Sequence, residues 1–395
     1  MTDILVFLLF LLWGIRQKKT FFSEIVKQSP AFLFFIFFLV VSILLSGRIL
    51  GGLYSLLKFL EFSFLAYYIA TTISKKNQLE KVILLFASGI IFESTLAFFQ
   101  YLTQGSIGGP LYFLGERFFT AQTPGIANAS INGQLVLRAY GTFSHPNVLA
   151  GYLVIGMVLL LLFPFTNRQR NYQNILVKLA LLLGTGALFL TMSRIAISIW
   201  LSILIAFFLR FFLQRTKQRT KRIFLIFVSL GVFFMVGVFF LSQVGFRFIQ
   251  TNLFEEAVIQ RETLITASFK MLLVKPLLGV GLGNFLPTLA VFEKPLSQTL
   301  YLQPVHNIFL LVAVETGFIG LMFFLWFVFK TYRHIRNPAF VVILSAVLVL
   351  GFFDHYLLTL QQGQLLFACI LGLCRSKMEG REVLPRKRSL KSKKR

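Results

Sequence analysis

The sequence predicts an all-α fold, a polytopic bundle of about eleven transmembrane helices with a long, partly helical loop outside the membrane. Of its 395 residues, 57% are apolar and only 13% are charged, whereas soluble domains carry about 25% charged residues. A helix needs about 20 apolar residues to cross the hydrocarbon core of a bilayer. Apolar runs approaching that length fill most of the chain, so we expect one membrane domain over residues 1–395.

Eleven apolar runs are expected to form the spans. In chain order they are Ile4–Ile15, Ala31–Ser46, Leu50–Ile73, Leu79–Leu102, Pro146–Phe165, Ile175–Leu190, Ile195–Phe212, Ile223–Leu241, Val305–Phe329, Ala339–Phe353 and Gln364–Leu373. The first run is short and is expected to need tilting or local thinning of the bilayer. Because no basic region precedes it, we expect no cleavable signal peptide.

The stretches between these runs alternate between Lys/Arg-rich and Lys/Arg-poor. The rich stretches hold 29 of the 39 Lys and Arg residues, and the positive-inside rule assigns them to the cytoplasm. The chain is therefore expected to be a multi-pass protein of the cytoplasmic (inner) membrane, with its N-terminus outside and a basic cytoplasmic tail at residues 375–395. Orientation and contact with anionic membrane lipids explain the net charge of +25, and no nucleic-acid partner is expected.

Two long segments, residues 103–144 and 243–304, fall on the Lys/Arg-poor side. The first is rich in Gly, Ser, Asn, Pro and Thr and is expected to be a loop. In the second, apolar residues at helical spacing predict an amphipathic helix over Glu255–Lys275. Glycines at positions 279, 281 and 283 follow no predicted strand, so they indicate a tight turn and not a dinucleotide site.

Most of the side chains suited to chemistry lie on the Lys/Arg-poor side. They are His145, Arg194, Arg261, His306, Asp354 and His355. A site outside the cytoplasm has no ATP or nucleotide sugar, so its substrate must arrive already activated. The placement of these residues therefore favours chemistry on a donor that the membrane carries.

Each of three candidates has a chemical role and a simpler alternative. Arg194 lies between two apolar runs with almost no loop, where it would either reach a lipid phosphate or hold a diphosphate in its planar fork. Arg261 could join it on the same anion, or pair with Glu255 or Glu262. His306 begins an apolar run and suits general-base work because its pKa lies near neutrality, although a histidine at a membrane interface can also be structural.

Metal chemistry and cofactors are not expected. The only aspartates are Asp3 and Asp354 and the outer glutamates are scattered, whereas hard divalent cations need clustered oxygen ligands. Cys369 and Cys374 lie in the last apolar run, which fits neither a disulfide framework nor a metal site.

Carboxylates also lie within the membrane. Glu61 and Glu93 fall inside the third and fourth runs, and Lys58 is spaced to pair with a carboxylate on its own helix. A buried structural pair and a proton path both fit these residues.

Four segments follow one another along the chain: Gly141-Thr142-Phe143-Ser144-His145-Pro146-Asn147, Thr191-Met192-Ser193-Arg194, Pro276-Leu277-Leu278-Gly279-Val280-Gly281-Leu282-Gly283-Asn284-Phe285, and His306-Asn307 through Glu315-Thr316-Gly317. In this order they resemble the O-antigen ligase/O-antigen polymerase superfamily of membrane glycosyltransferases. The resemblance covers about residues 50 to 374. It implies a GT-C-like fold and glycan transfer from undecaprenyl diphosphate to an acceptor hydroxyl outside the cytoplasmic membrane, without a metal or ATP.

The resemblance also implies roles for residues. Arg194 and Arg261 would hold the lipid diphosphate, and His306 would activate the acceptor hydroxyl. His145 matches a motif position, and Asp354 lies where the family often has an acidic residue. One departure concerns the N-terminus, because the family usually has about twelve spans and this chain begins with a short one.

The resemblance thus implies an inverting, O-antigen ligase-like glycosyltransferase of lipopolysaccharide biosynthesis. Its partners would be an undecaprenyl-diphosphate-linked glycan donor, a glycan or lipid acceptor and membrane lipids. A polysaccharide polymerase or a protein O-oligosaccharyltransferase of the same superfamily is the first alternative. A lipid or polysaccharide transporter (flippase), with Lys58, Glu61 and Glu93 as its polar path, is an alternative of another class, and a structural scaffold is a third.

Overall fold

Helices make up most of the protein. The computed structural model describes residues 2–16, 30–131, 134–163, 171–213, 256–293 and 303–376. The helices are α1 (Thr2–Arg16), α2 (Pro30–Leu45), α3 (Ile49–Thr72), α4 (Lys76–Thr103), α5 (Pro146–Leu162), α6 (Asn171–Leu190), α7 (Arg194–Leu213), α8 (Glu256–Val274), α9 (Phe285–Phe292), α10 (Ile308–His334), α11 (Pro338–Phe353), α12 (Tyr356–Thr359) and α13 (Gln361–Arg375). The all-α prediction is confirmed.

Helices coincide with the predicted apolar runs, apart from Ile223–Leu241, which lies outside the described residues. Four helical segments are long and apolar enough to cross a membrane, Ile49–Thr72, Lys76–Thr103, Tyr172–Leu190 and Ile308–His334. The chain is therefore a membrane protein. About eleven spans are not confirmed, because the other apolar helices found in the described ranges have only 10–17 residues and a span needs about 20.

Helix α5 is the centre of the packing. It contacts α4, α6, α7, α11 and α13, and its residues from Val148 to Leu160 are almost all buried. A helix that is apolar on every side lies either in a protein core or in the membrane, and the burial of α5 by its neighbours places it in the core of this bundle. Because α5 begins directly after His145, this buried helix fixes one edge of the candidate site.

The connection from α4 to α5 contains a 3-10 helix (Gly109–Leu114) and a two-stranded antiparallel hairpin. The hairpin pairs β1 (Asn128–Ile131) with β2 (Gln134–Leu137). The sequence predicted only a loop here, since strands of four residues carry too few alternating positions to be seen.

The glycine run after α8 packs against a break in α10. Gly317 has φ of 67° inside α10, and the helix carbonyls near this break accept hydrogen bonds from the glycine run, Val280 N to Val314 O and Gly281 N to Glu315 O, both at 2.9 Å. A Cβ at Gly279 would lie 2.5 Å from Val314 O, so the backbone approach requires glycine. The tight turn predicted from these glycines is confirmed. It follows α8 in the chain, and its main chain is hydrogen-bonded to α10.

Candidate functional site

Three of the predicted residues form one cluster where α10 begins and α11 ends. His306 precedes Asn307, the N-cap of α10, whose side chain accepts hydrogen bonds from the first turn. Asp354 is the C-cap of α11, and His355 follows it at the start of α12. A nitrogen from each histidine ring and a carboxylate oxygen of Asp354 lie within 4.8 Å of one another. The two rings are edge to face, with centroids 5.1 Å apart.

Hydrogen bonds hold the carboxylate of Asp354 in one orientation. Its Oδ1 accepts from the backbone N of His355 at 2.8 Å, and its Oδ2 accepts from Asn147 Nδ2 at 2.8 Å. The Nδ1 atom of His355 lies 2.6 Å from the Thr359 hydroxyl. The carboxylate therefore cannot rotate without losing a bond, and it presents a fixed negative charge to both histidines.

His145 joins this cluster from α5. It is the N-cap of that helix, and its Nδ1 accepts a hydrogen bond from Asn147 N at 3.1 Å. Burial and the nearby Arg138 guanidinium lower the pKa of His145 to about 3, against the opposing effect of Asp354. His145 is therefore neutral at ordinary pH. Its structural role is to cap the N-terminus of α5.

The two other histidines are also neutral near pH 7. Burial lowers the pKa of His306 to about 4; Asp354 opposes this shift, while His355 and Arg261 add to it. Burial likewise lowers the pKa of His355, again against Asp354. Burial alone would raise the pKa of Asp354, but His355, His306 and the Asn147 hydrogen bond bring it below its usual value. The cluster thus combines neutral imidazoles with an ionised carboxylate.

His306 has an unused hydrogen-bonding atom. Its Nδ1 is buried and has no hydrogen-bond partner among the residues that the structure describes. A buried polar atom without a partner is costly. Such an atom next to a carboxylate is available to accept or hold a proton during a reaction.

Arg138 and Asn147 connect this cluster to the turn that carries Arg194. Arg138 donates from Nε to Thr191 O and from Nη2 to Asn147 Oδ1, both at 2.7 Å. Asn147 in turn donates to Asp354. The sequence-based prediction missed both residues as site residues; Asn147 stood inside the His145-Pro146-Asn147 motif, which was the available signal.

The two predicted arginines differ in their surroundings. Arg194 is half-buried and opens α7 after a turn in which Met192 has φ of 50°. This confirms that the turn before Arg194 is tight. The turn is connected to the histidine cluster by the hydrogen bond from Arg138 to Thr191 O. Arg261 is exposed on α8 and acts electrostatically on His306. The predicted alternative pairing with Glu262 is not seen among the described ion pairs, and Glu255 lies outside the described residues.

Glu93 anchors the motif loop from inside the bundle. Its Oε2 accepts from Thr142 N at 2.9 Å and its Oε1 from the Thr142 hydroxyl at 2.5 Å. Gly141 has φ of 57°, and a Cβ there would lie 2.3 Å from the Glu93 carboxylate. These contacts favour a structural role for Glu93 over a proton path.

Lys58 pairs as the sequence predicted, and with a second carboxylate. Its Nζ lies 3.1 Å from Glu61 Oε2 and 2.6 Å from Asp3 Oδ1. The pair therefore ties α1 to α3. It also accounts for Lys58 and Glu61 without a transport path.

The cluster of His306, Asp354 and His355 contains donor atoms that a divalent metal accepts. The sequence-based search looked for clustered acids and missed this mixed set. The donor atoms of the three residues lie up to 4.8 Å from one another. Nitrogen and oxygen ligands lie about 2.0–2.2 Å from a zinc ion, so these atoms would have to move closer together to bind one ion. A cavity of about 430 Å³, lined by Phe309, Tyr332 and Phe352 among others, includes none of the six predicted residues.

Residues 179–325 match the family model described as O-antigen ligase. The matched region includes Arg194, Arg261 and His306, while His145, Asp354 and His355 lie outside it. Comparison with curated proteins gives no match. The matched region thus holds all three residues to which sequence reasoning gave a chemical role.

Proposed function

We propose that the chain is a glycosyltransferase acting on a lipid-linked glycan, because residues 179–325 match the family model described as O-antigen ligase. It moves a glycan from undecaprenyl diphosphate to an acceptor hydroxyl at the outer face of the cytoplasmic membrane. The orientation follows from the Lys/Arg distribution, because the six site residues lie opposite the basic stretches. The observation that carries the proposal is the grouping of the His306 and His355 rings with the Asp354 carboxylate within 4.8 Å, where the charge of Arg261 also acts on His306.

The proposed reaction is a single displacement. The acceptor oxygen attacks the anomeric carbon, the bond from that carbon to the diphosphate oxygen breaks, and its electron pair leaves with the diphosphate. The acceptor proton passes to His306, whose positive charge Asp354 then stabilises. Attack opposite the leaving group predicts inversion at the anomeric carbon.

In the proposed reaction, Arg194 and Arg261 neutralise the negative charge of the leaving diphosphate. The diphosphate gains negative charge as the bond breaks, and guanidinium groups positioned for that charge lower the barrier. The family resemblance assigns Arg194 and Arg261 to the diphosphate; Arg261 is exposed on α8 and Arg194 opens α7. Arg138 and Asn147 are positioning residues, because they act through Asp354.

The acceptor defines the type of enzyme within the superfamily. With lipid A core as acceptor the protein is a ligase, which the resemblance favours. A growing glycan would make it a polymerase, and a protein side chain would make it an O-oligosaccharyltransferase. A flippase receives no support from Lys58, Glu61 and Glu93, since their contacts with Asp3 and Thr142 are structural.

Transfer is expected to proceed without a metal. Purified protein in liposomes is incubated with a lipid-diphosphate glycan, each candidate acceptor in turn, and EDTA. A product that carries the glycan on one acceptor is the expected result, and its identity separates ligase, polymerase and oligosaccharyltransferase. Loss of transfer on chelation, restored by Zn²⁺, would show instead that His306, Asp354 and His355 work as metal ligands.

The rate of transfer is expected to fall only at strongly acidic pH. His306 is a base in its neutral form, and burial lowers its pKa from the usual 6.5 to about 4. Protonation therefore removes the base as the pH falls through about 4, and kcat/KM, which reports the free enzyme, should stay level from neutral pH down to about 5. An acid limb centred near 6.5 would contradict the buried position of His306. Asp354, His355, His145 and Arg261 are the other charged or titratable groups of the cluster and contribute to this limb.

A further inference from the structure

We propose that part of the connection between α4 and α5 lies in the headgroup boundary of the membrane and sets the depth of the site. This part is the interfacial surface, defined by Ile107, Tyr112, Phe113, Leu114 and Phe118. The occupant that covers it is membrane lipid. The proposal goes beyond the transfer reaction, and the membrane contact itself does not depend on that reaction.

In this segment an acidic side chain is buried and aromatic side chains are exposed, the reverse of the usual arrangement. Phe113 is 84% exposed and Phe118 is 69% exposed, whereas Glu116, between them in sequence, is only 2% exposed. In water the carboxylate would turn outward and the phenylalanines inward. A segment that buries its acid and presents its aromatic rings is suited to an apolar surrounding.

The buried carboxylate makes this arrangement rigid. Glu116 Oε1 accepts hydrogen bonds from Gln100 Nε2 at 2.8 Å and from Ile107 N at 2.9 Å, and its Oε2 accepts from Gly108 N at 2.8 Å. These three bonds offset the cost of burying the charge. Gln100 belongs to α4, so the segment is fixed to the end of a membrane helix.

The exposed rings are also ordered. Tyr112 stacks on Phe118 with ring centroids 5.4 Å apart, and Ser106 N donates to Phe119 O across the base of the segment at 2.9 Å. The stacking and the backbone hydrogen bond therefore hold these rings in their outward position.

Lipid is the occupant because the surface continues the membrane-facing side of α4. Phe99 and Leu102, in the last turns of that helix, are 54% and 75% exposed, and Lys76–Thr103 is long and apolar enough to cross a membrane. The interfacial surface begins four residues beyond Thr103. Aromatic side chains are enriched where a bilayer meets water, which is the level at which α4 leaves the hydrocarbon.

The side chain of Arg117 connects the interfacial surface to the loop that carries His145. Arg117 donates from Nη2 to Ser144 O at 2.7 Å and lies 5.6 Å from the centre of the Tyr140 ring. Ser144 directly precedes His145. Given the proposed function, the contact holds the site loop at the depth where the diphosphate of a membrane-anchored donor is found.

The test measures the surroundings of Phe113 directly. Phe113→Cys, in a chain with Cys369→Ala and Cys374→Ala, is labelled with an environment-sensitive fluorophore and placed in phosphatidylcholine nanodiscs. Gln122→Cys is the matched control, because Gln122 is an exposed polar residue of the same connection. We expect the label at 113 to be quenched by a nitroxide on the upper part of the lipid chain and protected from iodide, with the opposite result at 122.

Two outcomes would overturn the proposal. Equal iodide quenching at 113 and 122 would overturn it, since the surface would then face water. Protection from both quenchers would also overturn it, and would identify a protein or a second copy of the chain as the occupant. Phe118→Cys repeats the measurement if the first variant does not fold. None of these readings requires glycan transfer, so failure of the proposed function would leave the result intact.

Discussion

His306→Ala should lower the rate of glycan transfer by about 10²–10⁴-fold, the range that a general base contributes. The acceptor hydroxyl would then attack without a group to take its proton. Binding of the lipid-linked donor should change little, because the arginines assigned to the diphosphate remain. The measurement is single-turnover transfer together with donor binding in liposomes.

His334→Ala is the matched control for this substitution. His334 is exposed in the last turn of α10, near the opposite end of the helix that follows His306, and its Nδ1 contacts Lys330 O. It should transfer glycan at the wild-type rate. A His306→Ala protein that is folded and fully active would exclude His306 as the base, and unaltered glycan movement across the membrane without transfer would favour a transporter.

Arg261→Gln should lower kcat by about 10²–10³-fold, the loss typical of removing one group that stabilises developing charge. Its side chain is exposed on α8, so the effect on folding should be small. Lys270→Gln on the same helix is the control, because its exposed pairing with Glu293 contributes little to stability. The comparison is steady-state transfer with saturating acceptor.

The same substitution has a second, independent effect on pH dependence. The positive charge of Arg261 lowers the pKa of His306, so its removal should raise that pKa. The acid limb of kcat/KM should therefore move toward neutral pH in Arg261→Gln and stay in place in Lys270→Gln. If Arg261→Gln lowered kcat but left the acid limb unchanged, its charge would act away from His306.

The sequence predicted the helices because apolar runs are continuous and local. The run Pro146–Phe165 became α5, and Arg194 opens a helix after a tight turn. The number of spans was not confirmed in the same way. Hydropathy finds an apolar run, but a run of about 16 residues can end as a packed helix inside a bundle as well as in a span.

The candidate site was predicted less completely, since it depends on contacts between distant residues. Asn147 bonds to Asp354 across 207 positions and Arg138 to Thr191 across 53. No local pattern indicates such bonds. Glu116 is a similar case, because an acidic residue in a loop is ordinarily solvated and its three internal donors become visible only in the fold.

The break in α10 at Gly317 has a consequence for how such a protein can diversify. The glycine run after α8 is joined to α10 through main-chain atoms, at Val280 and Gly281. Apart from Glu315, whose carboxylate accepts hydrogen bonds from the backbone N of Gly283 and of Phe285, side chains elsewhere on either helix can change without breaking these bonds. Substitutions on α8 and α10 that alter the choice of acceptor hydroxyl would therefore leave the spacing between Arg261 and His306 unchanged.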